Sequence, residues 1–428
     1  MTAQHLPADD AFFAEWAAKA PGQRRSLGRA RAVGAELGTW DGTPPVLAVV
    51  GSKGKGTTAI HAAAALSAAL LPRGAAGAPR RARVGLVTSP GLRVNRERMR
   101  FDGAAISPGE YDAEAARLDA ARGVVVPDGS GYLSPTGAYT ITGAAWAARR
   151  GADALVLEEG LGGRSDEVSL FDARVVAVTK VFYEHGDVLG PTLDDVARDL
   201  LGVVGHGTRT IVTVEQDPDV TALVEETAAK FDMELVTVGA GSVSCAPAGL
   251  PPLTRLNATA GEAAARSLAA GLGWSLGDAD VAAALRTVRV PGRMSRLPTP
   301  GGPVMLDGAI SPEGVRATVA AWRAWRAELG YDTADLGTVV ASFPDTKDAE
   351  ACFAELRDFS RVIPSRADDY LSFARSEALH GDVLPAREAL SRGLADGACL
   401  VVGTQSFLAI ALDVLDVPTT RAYEPLDG

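Results

Sequence analysis

The sequence predicts a two-domain α/β protein, with a large doubly wound domain over residues 1–288 and a smaller, Rossmann-like α/β domain over residues 289–428. Three observations carry this. An apolar run, Val46–Val50, leads directly into Gly51-Ser52-Lys53-Gly54-Lys55-Gly56-Thr57-Thr58 and then into an Ala-rich segment of strong helix propensity. Short apolar runs alternate with helical periodicity up to about residue 288, as in a parallel sheet wrapped by helices. The stretch Val288–Arg293 then lacks any period and reads as a linker, after which the alternation restarts.

In chain order, Asp9 or Asp10 caps a helix reaching about Lys19, and Gln23–Leu37 forms a second helix closed by Gly38. The strand at Val46 and its helix, to about Leu71, are followed by a Gly/Ala/Pro/Arg-rich surface loop over Pro72–Arg83. Val84–Val87 is a buried strand ending in Thr88-Ser89-Pro90-Gly91, and the charged segment Leu92–Gly103 reads as a loop, solvated or reaching over an anionic ligand. Helices over Pro108–Arg122 and Thr136–Arg150 precede the strand Ala154–Leu157, which runs into Glu158-Glu159-Gly160-Leu161-Gly162-Gly163-Arg164. Val175–Thr179 is a strand leading to Tyr183-Glu184-His185-Gly186. A helix at Leu193–Leu201, strands at Thr210–Val214 and Leu235–Val238, and helices at Ala258–Leu272 and Asp278–Thr287 complete the first domain. The second alternates strands at Val304–Leu306, Thr338–Ser342, Arg361–Ile363 and Cys399–Gly403 with helices at Pro312–Leu329, Ala349–Arg357, Ala386–Leu394 and Ser406–Leu415.

Composition bounds the function. With 428 residues, 47% hydrophobic and 22% charged, the chain has the make-up of a soluble protein with more than one core. A formal net charge of -11 argues against nucleic-acid binding by bulk electrostatics, though not against local basic pockets. Cys245, Cys352 and Cys399 are widely spaced, as reduced thiols of a cytoplasmic protein are. Neither a signal-peptide core nor a membrane-length apolar run is evident, so neither a membrane nor a nucleic acid is expected as a partner.

Strand, glycine loop and helix together form a phosphate cradle. Glycines let backbone N–H groups converge on the anion, Lys55 supplies an ammonium, and Thr57 and Thr58 offer hydroxyls to phosphate or magnesium. Gly56 departs from the usual Gly-Lys-Ser/Thr order. Two acids, Glu158 and Glu159, stand at the C-terminal end of a strand, the end that faces the ligand crevice in open parallel sheets. His185 lies at another such end, either as a ligand or as a satisfied loop histidine.

These segments, in order and spacing, resemble the Mur ligase superfamily in its folylpolyglutamate synthase/dihydrofolate synthase branch. The carriers are the Gly51–Thr58 loop, Thr88-Ser89-Pro90 with Glu97-Arg98, Glu158–Arg164, His185–Gly190, Pro291-Gly292-Arg293, Asp307-Gly308-Ala309 and Asp345-Thr346-Lys347-Asp348. The resemblance implies a P-loop ATPase domain joined to a C-terminal ligase domain. It also implies ATP and Mg2+ as cofactors, and amide synthesis between a carboxylate and an amino acid through an acyl phosphate. It assigns Gly54, Lys55, Gly56, Thr57 and Thr58 to the phosphates, and Asn257, Arg293 and Asp307 to the nucleotide. Ser89, Glu158 and His185 fall to magnesium, and Lys55, Glu158 and His185 to catalysis. Asn257 has a rival reading as a helix cap before Ala258.

Departures from the family pattern are specific. Leu200 stands where the family has a lysine that is carbamoylated to help bind a second magnesium, and Ile310-Ser311 replaces His-Asn. Leu253-Thr254 replaces His-Gln, Thr136-Gly137 replaces the aromatic–acid pair of the pterin pocket, and Asp166-Glu167-Val168-Ser169 replaces Asp-Ala-Thr-Asn. A preserved phosphate site beside an altered pocket predicts an ATP-dependent ligase with a small non-folate acceptor, and the resemblance implies a monomer. The alternatives are a folylpolyglutamate/dihydrofolate synthase, a phosphotransferase, and a degenerate nucleotide-binding member without turnover.

Overall fold

The computed structural model describes residues 5–72, 79–126, 129, 131–367 and 371–426. Residues 73–78 of the expected Pro72–Arg83 loop lie outside the described residues. The chain divides into two compact units, one comprising Leu6–Gly91, Arg96–Arg289 and the segment from Thr420, the other Leu92–Asn95 and Val290–Thr419. Among the described residues no helix is long and apolar enough to cross a membrane.

The first unit is built on β1 (Val46–Val50), β2 (Val84–Val87), β3 (Met99–Phe101), β4 (Ala104–Ala105), β5 (Ala154–Glu158), β6 (Val175–Val178), β7 (Thr210–Val214) and β8 (Glu234–Val238). They form one sheet in the order β4-β3-β2-β5-β1-β6-β7-β8. From β2 to β8 the pairings are parallel. The apolar runs of β1, β2, β5 and β6 are buried along their whole length because helices cover both faces. β1 lies between β5 and β6, with Val49 opposite Glu158 and Val50 opposite Val178, so the ends of these three strands open on one crevice.

The segment Leu92–Gly103 differs from its expected loop. It holds a 3-10 turn at Asn95–Arg98 and the antiparallel strands β3 and β4. Met99 and Phe101 are buried, and so are Glu97 and Arg100, whose charged groups approach to 3.9 Å. Buried charges hid the period-2 pattern of a strand. Helices at Pro218–Lys230 and Ala374–His380 also went unread.

The helix Lys55–Ser67 packs against the helix Pro252–Gly271 through small residues. A Cβ at Gly261 would lie 2.4 Å from the Thr58 carbonyl oxygen, so the helices approach this closely only with glycine there. The second helix starts at Pro252 rather than Ala258, which places Asn257 inside it and removes the cap reading.

His61, buried in the first of these helices, has Nδ1 2.7 Å from the Thr57 carbonyl oxygen. Burial, against that hydrogen bond, holds its pKa down at about 4. A depressed histidine pKa contributes stability above the unfolded value of about 6.5 that is lost as pH falls toward the folded value. Between pH 7 and 5 the wild type is therefore expected to lose about 2 kcal/mol more than His61→Gln. Denaturant unfolding at the two pH values checks this, and equal losses would refute it.

The second unit has β9 (Ser295–Thr299), β10 (Gly302–Asp307), β11 (Thr338–Ser342), β12 (Arg361–Arg366), β13 (Leu384–Pro385) and β14 (Cys399–Gly403), in the order β13-β12-β11-β14-β10-β9. Its central strands are parallel, and β9 adds an antiparallel edge absent from the sequence reading. Trp322 and Trp325 pack in one core cluster, and Phe407 and Leu408 in another.

Candidate active site

After β1 the chain turns at Gly51, where φ is +131° and a Cβ would lie 2.2 Å from Thr179 Oγ1. Gly54 precedes the helix Lys55–Ser67 with φ +96°, and a Cβ there would lie 2.3 Å from the Asn257 amide nitrogen. Both positions therefore require glycine. The first intrahelical bond runs from Thr58 N to Gly54 O, so the N–H groups of Lys55, Gly56 and Thr57 open the helix. That is the geometry that receives phosphate oxygens. Thr58 Oγ1 donates to the Asn257 carbonyl oxygen at 3.1 Å, which ties Asn257 to the loop.

Glu158, the last residue of β5, is buried and accepts a hydrogen bond from Ser89 N at 2.9 Å. A Cβ on Gly56 would stand 3.4 Å from both Glu158 carboxylate oxygens, so this acid abuts the phosphate loop. Ser89 Oγ accepts from Arg98 Nη1 at 3.0 Å. The Arg98 guanidinium lies 4.8 Å from the Tyr139 ring centroid, an arrangement that favours a desolvated cation. Tyr139 and Tyr111 hydroxyls meet at 2.6 Å, and Tyr111 donates to buried Asp9 at 2.6 Å.

Lys55 Nζ donates to Gly51 O at 2.6 Å and pairs with Glu159 at 2.9 Å. Burial opposes the ammonium, but Glu159, then Glu158 and Glu184, outweigh it and raise the Lys55 pKa. Burial also raises the Glu159 carboxyl, against the pull of Lys55. A cavity of about 90 Å³ lies here, lined by Lys55, Glu159, Glu184, His185 and Leu200 among others. His185 is exposed and sits at φ +51°, a conformation that non-glycine residues seldom adopt. Buried Leu200 puts hydrocarbon where the resemblance expects a metal-binding carbamate.

In the second unit Arg293 and Asp307 come together. A Cβ on Gly308 would meet Arg293 Nη1 at 2.8 Å. Asp307 accepts from Met294 N at 2.9 Å and from Thr318 Oγ1 at 2.5 Å, while burial raises its pKa.

The first unit thus assembles Gly54, Lys55, Gly56, Thr57, Thr58, Asn257, Ser89, Glu158 and His185 around the ends of β1, β2, β5 and β6, and the second holds Arg293 with Asp307. Sequence reasoning missed Glu159 as the partner of Lys55 and Arg98 as the partner of Ser89. It also missed Glu167. A Cβ on Gly137 would lie 2.2 Å from the Glu167 carboxyl carbon, so an acid fills the space of the side chain that Gly137 lacks. Ser134 Oγ donates to Glu167 Oε1 at 2.9 Å and accepts from Gly137 N at 2.9 Å. Arg25 lies 4.0 Å from Glu167 Oε2, and bonds Asp166 at 3.2 Å. Burial, then the Asp166 charge, pushes the Glu167 carboxyl up to about 7 against Arg25.

No family model matches the chain. A probable bifunctional folylpolyglutamate synthase/dihydropteroate synthase of Halobacterium salinarum is 30% identical over 406 residues, 86% of this chain and 46% of that protein. The dihydrofolate synthase/folylpolyglutamate synthase of Escherichia coli is 31% identical over 201 residues, 47% of this chain and 43% of that protein. These matches span about half the length of the curated relatives. Among solved structures, the apo form of L. casei FPGS superposes with TM-score 0.77 at 19% identity, covering 96% of this chain and 100% of that one. E. coli FolC in complex with DHPP and ADP superposes with TM-score 0.76 at 21% identity, covering 97% and 99%. Along nearly its whole length the chain has the fold of these folylpolyglutamate synthase structures, and over 86% of it the sequence is similar to part of a probable bifunctional folylpolyglutamate synthase/dihydropteroate synthase.

Proposed function

We propose that this protein is an ATP- and magnesium-dependent acid–amino-acid ligase that phosphorylates a carboxylate and lets an amine displace the phosphate, with ADP and phosphate as products. The observation that carries this is the apposition of the Lys55 helix start to the Ser89–Glu158 pair across Gly56. One side suits phosphate. The other offers a hydroxyl and a carboxylate, and magnesium commonly takes one or two carboxylates, phosphate oxygens and waters. Among the described residues no three His, Cys, Asp or Glu side chains form a self-sufficient metal cage, in keeping with an ion shared with phosphate. Magnesium bound there would neutralise charge on the transferring phosphoryl group.

Lys55 and the first-turn N–H groups orient the phosphates and stabilise the developing charge. Arg98 donates to the Ser89 hydroxyl oxygen, occupying one of its two lone pairs and leaving the other free to meet a metal. We assign nucleotide contacts to Asn257, Arg293 and Asp307 on the same reading, and keep the expected cytoplasmic location and monomeric state with it.

The relatives' names favour a folate-type acceptor over the non-folate one expected from sequence. Glu167 supports the same choice, because it returns a carboxyl to the space beside Gly137. Incubation with ATP, magnesium, glutamate and dihydropteroate or tetrahydrofolate should release ADP and phosphate and lengthen the acceptor by one glutamate. AMP as product would overturn the acyl-phosphate route. Leu200 in the cavity, together with Ile310 in place of the family's histidine, favours a second reading, a nucleotide-binding member without turnover. ADP binding with no phosphate release from any folate or amino-acid pair would decide for it.

A further inference from the structure

The Lys55–Glu159 pair is an arrangement that the phosphate-binding role of Lys55 does not require. Glu159 is 1% exposed. Its Oε1 meets Lys55 at 2.9 Å, and its Oε2 has no hydrogen-bond partner among the described residues. The ammonium has three protons, and Gly51 O at 2.6 Å, Glu159 at 2.9 Å and, more loosely, Ser52 O at 3.5 Å already draw on them. Glu159 lines the same cavity as Lys55, Ser52 and Gly51, so carboxylate and phosphate address one ammonium from one space.

We propose that Glu159 competes with nucleotide phosphate for Lys55 and thereby sets the nucleotide affinity of this chain. The inference rests on the phosphate-loop reading above. Drawing Lys55 onto a phosphate leaves the Glu159 carboxyl buried without its ion-pair partner, a costly arrangement. That cost is deducted from nucleotide binding. Glu158 also attracts the ammonium through its charge, but its Oε2 is held by the Ser89 N–H, and the direct ion pair with the loop lysine is made by Glu159. Glu159 is thus a positioning residue that acts on the nucleotide through Lys55.

Isothermal titration of the full chain with ADP and magnesium, without acceptor, separates the outcomes. Glu159→Gln keeps the shape and removes the charge, and Glu159→Ala removes the group altogether. Both are expected to bind ADP about tenfold more tightly than wild type, the factor for a lysine engaged nine-tenths of the time. A gain of affinity is a result that mere structural damage would not give. Wild-type binding with unchanged or weaker binding by the variants overturns the competition and leaves the proposed function standing. Absence of ADP binding by all three proteins overturns both. A structure of the wild-type ADP complex reads the exchange directly, whatever the variants' stability. Lys55 is expected on the phosphates and beyond hydrogen-bond distance of Glu159, and a retained 2.9 Å contact would overturn the proposal.

Discussion

Lys55→Ala is expected to lower ATP-dependent phosphate release by about 10³-fold or more, the scale of losing a preorganised group that stabilises transition-state charge. The ammonium stands at the start of the helix Lys55–Ser67, anchored to the Gly51 carbonyl, and no other lysine or arginine is among the residues lining that cavity. Stability should change as well, because the substitution strands Glu159. Breaking a buried ion pair from one side costs about 3–5 kcal/mol. Lys55→Met combined with Glu159→Gln should regain most of that stability while remaining inactive. Phosphate-release assays and denaturant unfolding on the same three proteins check the two halves separately. Full turnover in Lys55→Ala would show that the phosphate loop does not drive the reaction.

The second large effect concerns the exchange of an acid between two elements. Gly137→Glu places a Cβ 2.2 Å from the Glu167 carboxyl carbon and a second carboxylate beside Glu167 and Asp166. Overpacking alone costs about 1–3 kcal/mol, and like charge adds to it. The single variant should therefore be destabilised by about 3 kcal/mol or more. Adding Glu167→Ala clears the space. The new glutamate then sits three residues after Ser134, whose hydroxyl already caps the helix Pro135–Arg149 through Gly137 N, and completes a capping box. The double variant should approach wild-type stability, whereas Glu167→Ala alone leaves Arg25 and Ser134 without one of their acceptors. Denaturation midpoints of the four proteins form the cycle. Equal destabilisation of the double variant and Gly137→Glu would show that the two positions do not exchange one carboxyl.

What the sequence made legible was local. Val46–Thr58 contains strand, turn and helix start within one short run, each with its own chemical signal. The Glu158 strand end was equally plain, because an apolar run that stops at acids has few other meanings. Partnerships over long separations were not legible. Glu167 reaches Ser134 across 33 positions, and nothing in either segment announces the meeting. Lys55 and Glu159 looked like two independent site residues, although they bind each other. Charge also misled where it was buried. Arg100 and Glu97 made β3 look like a solvated loop, since burial of paired charges leaves no periodic trace. Asn257 was misplaced by propensity alone, because Pro252 opens its helix earlier than the apolar pattern suggests.

The segment from Thr420 rejoins the first unit next to the point where the chain leaves it. Arg289 N donates to Ala422 O at 2.7 Å, and Arg421 bridges to Ala104. Val290–Thr419 is thus spliced into its host through adjacent entry and exit points, like a plug-in cassette. Recombination at these two junctions would exchange the cassette, with Arg293 and Asp307, and leave the host sheet and the Lys55 loop uncut.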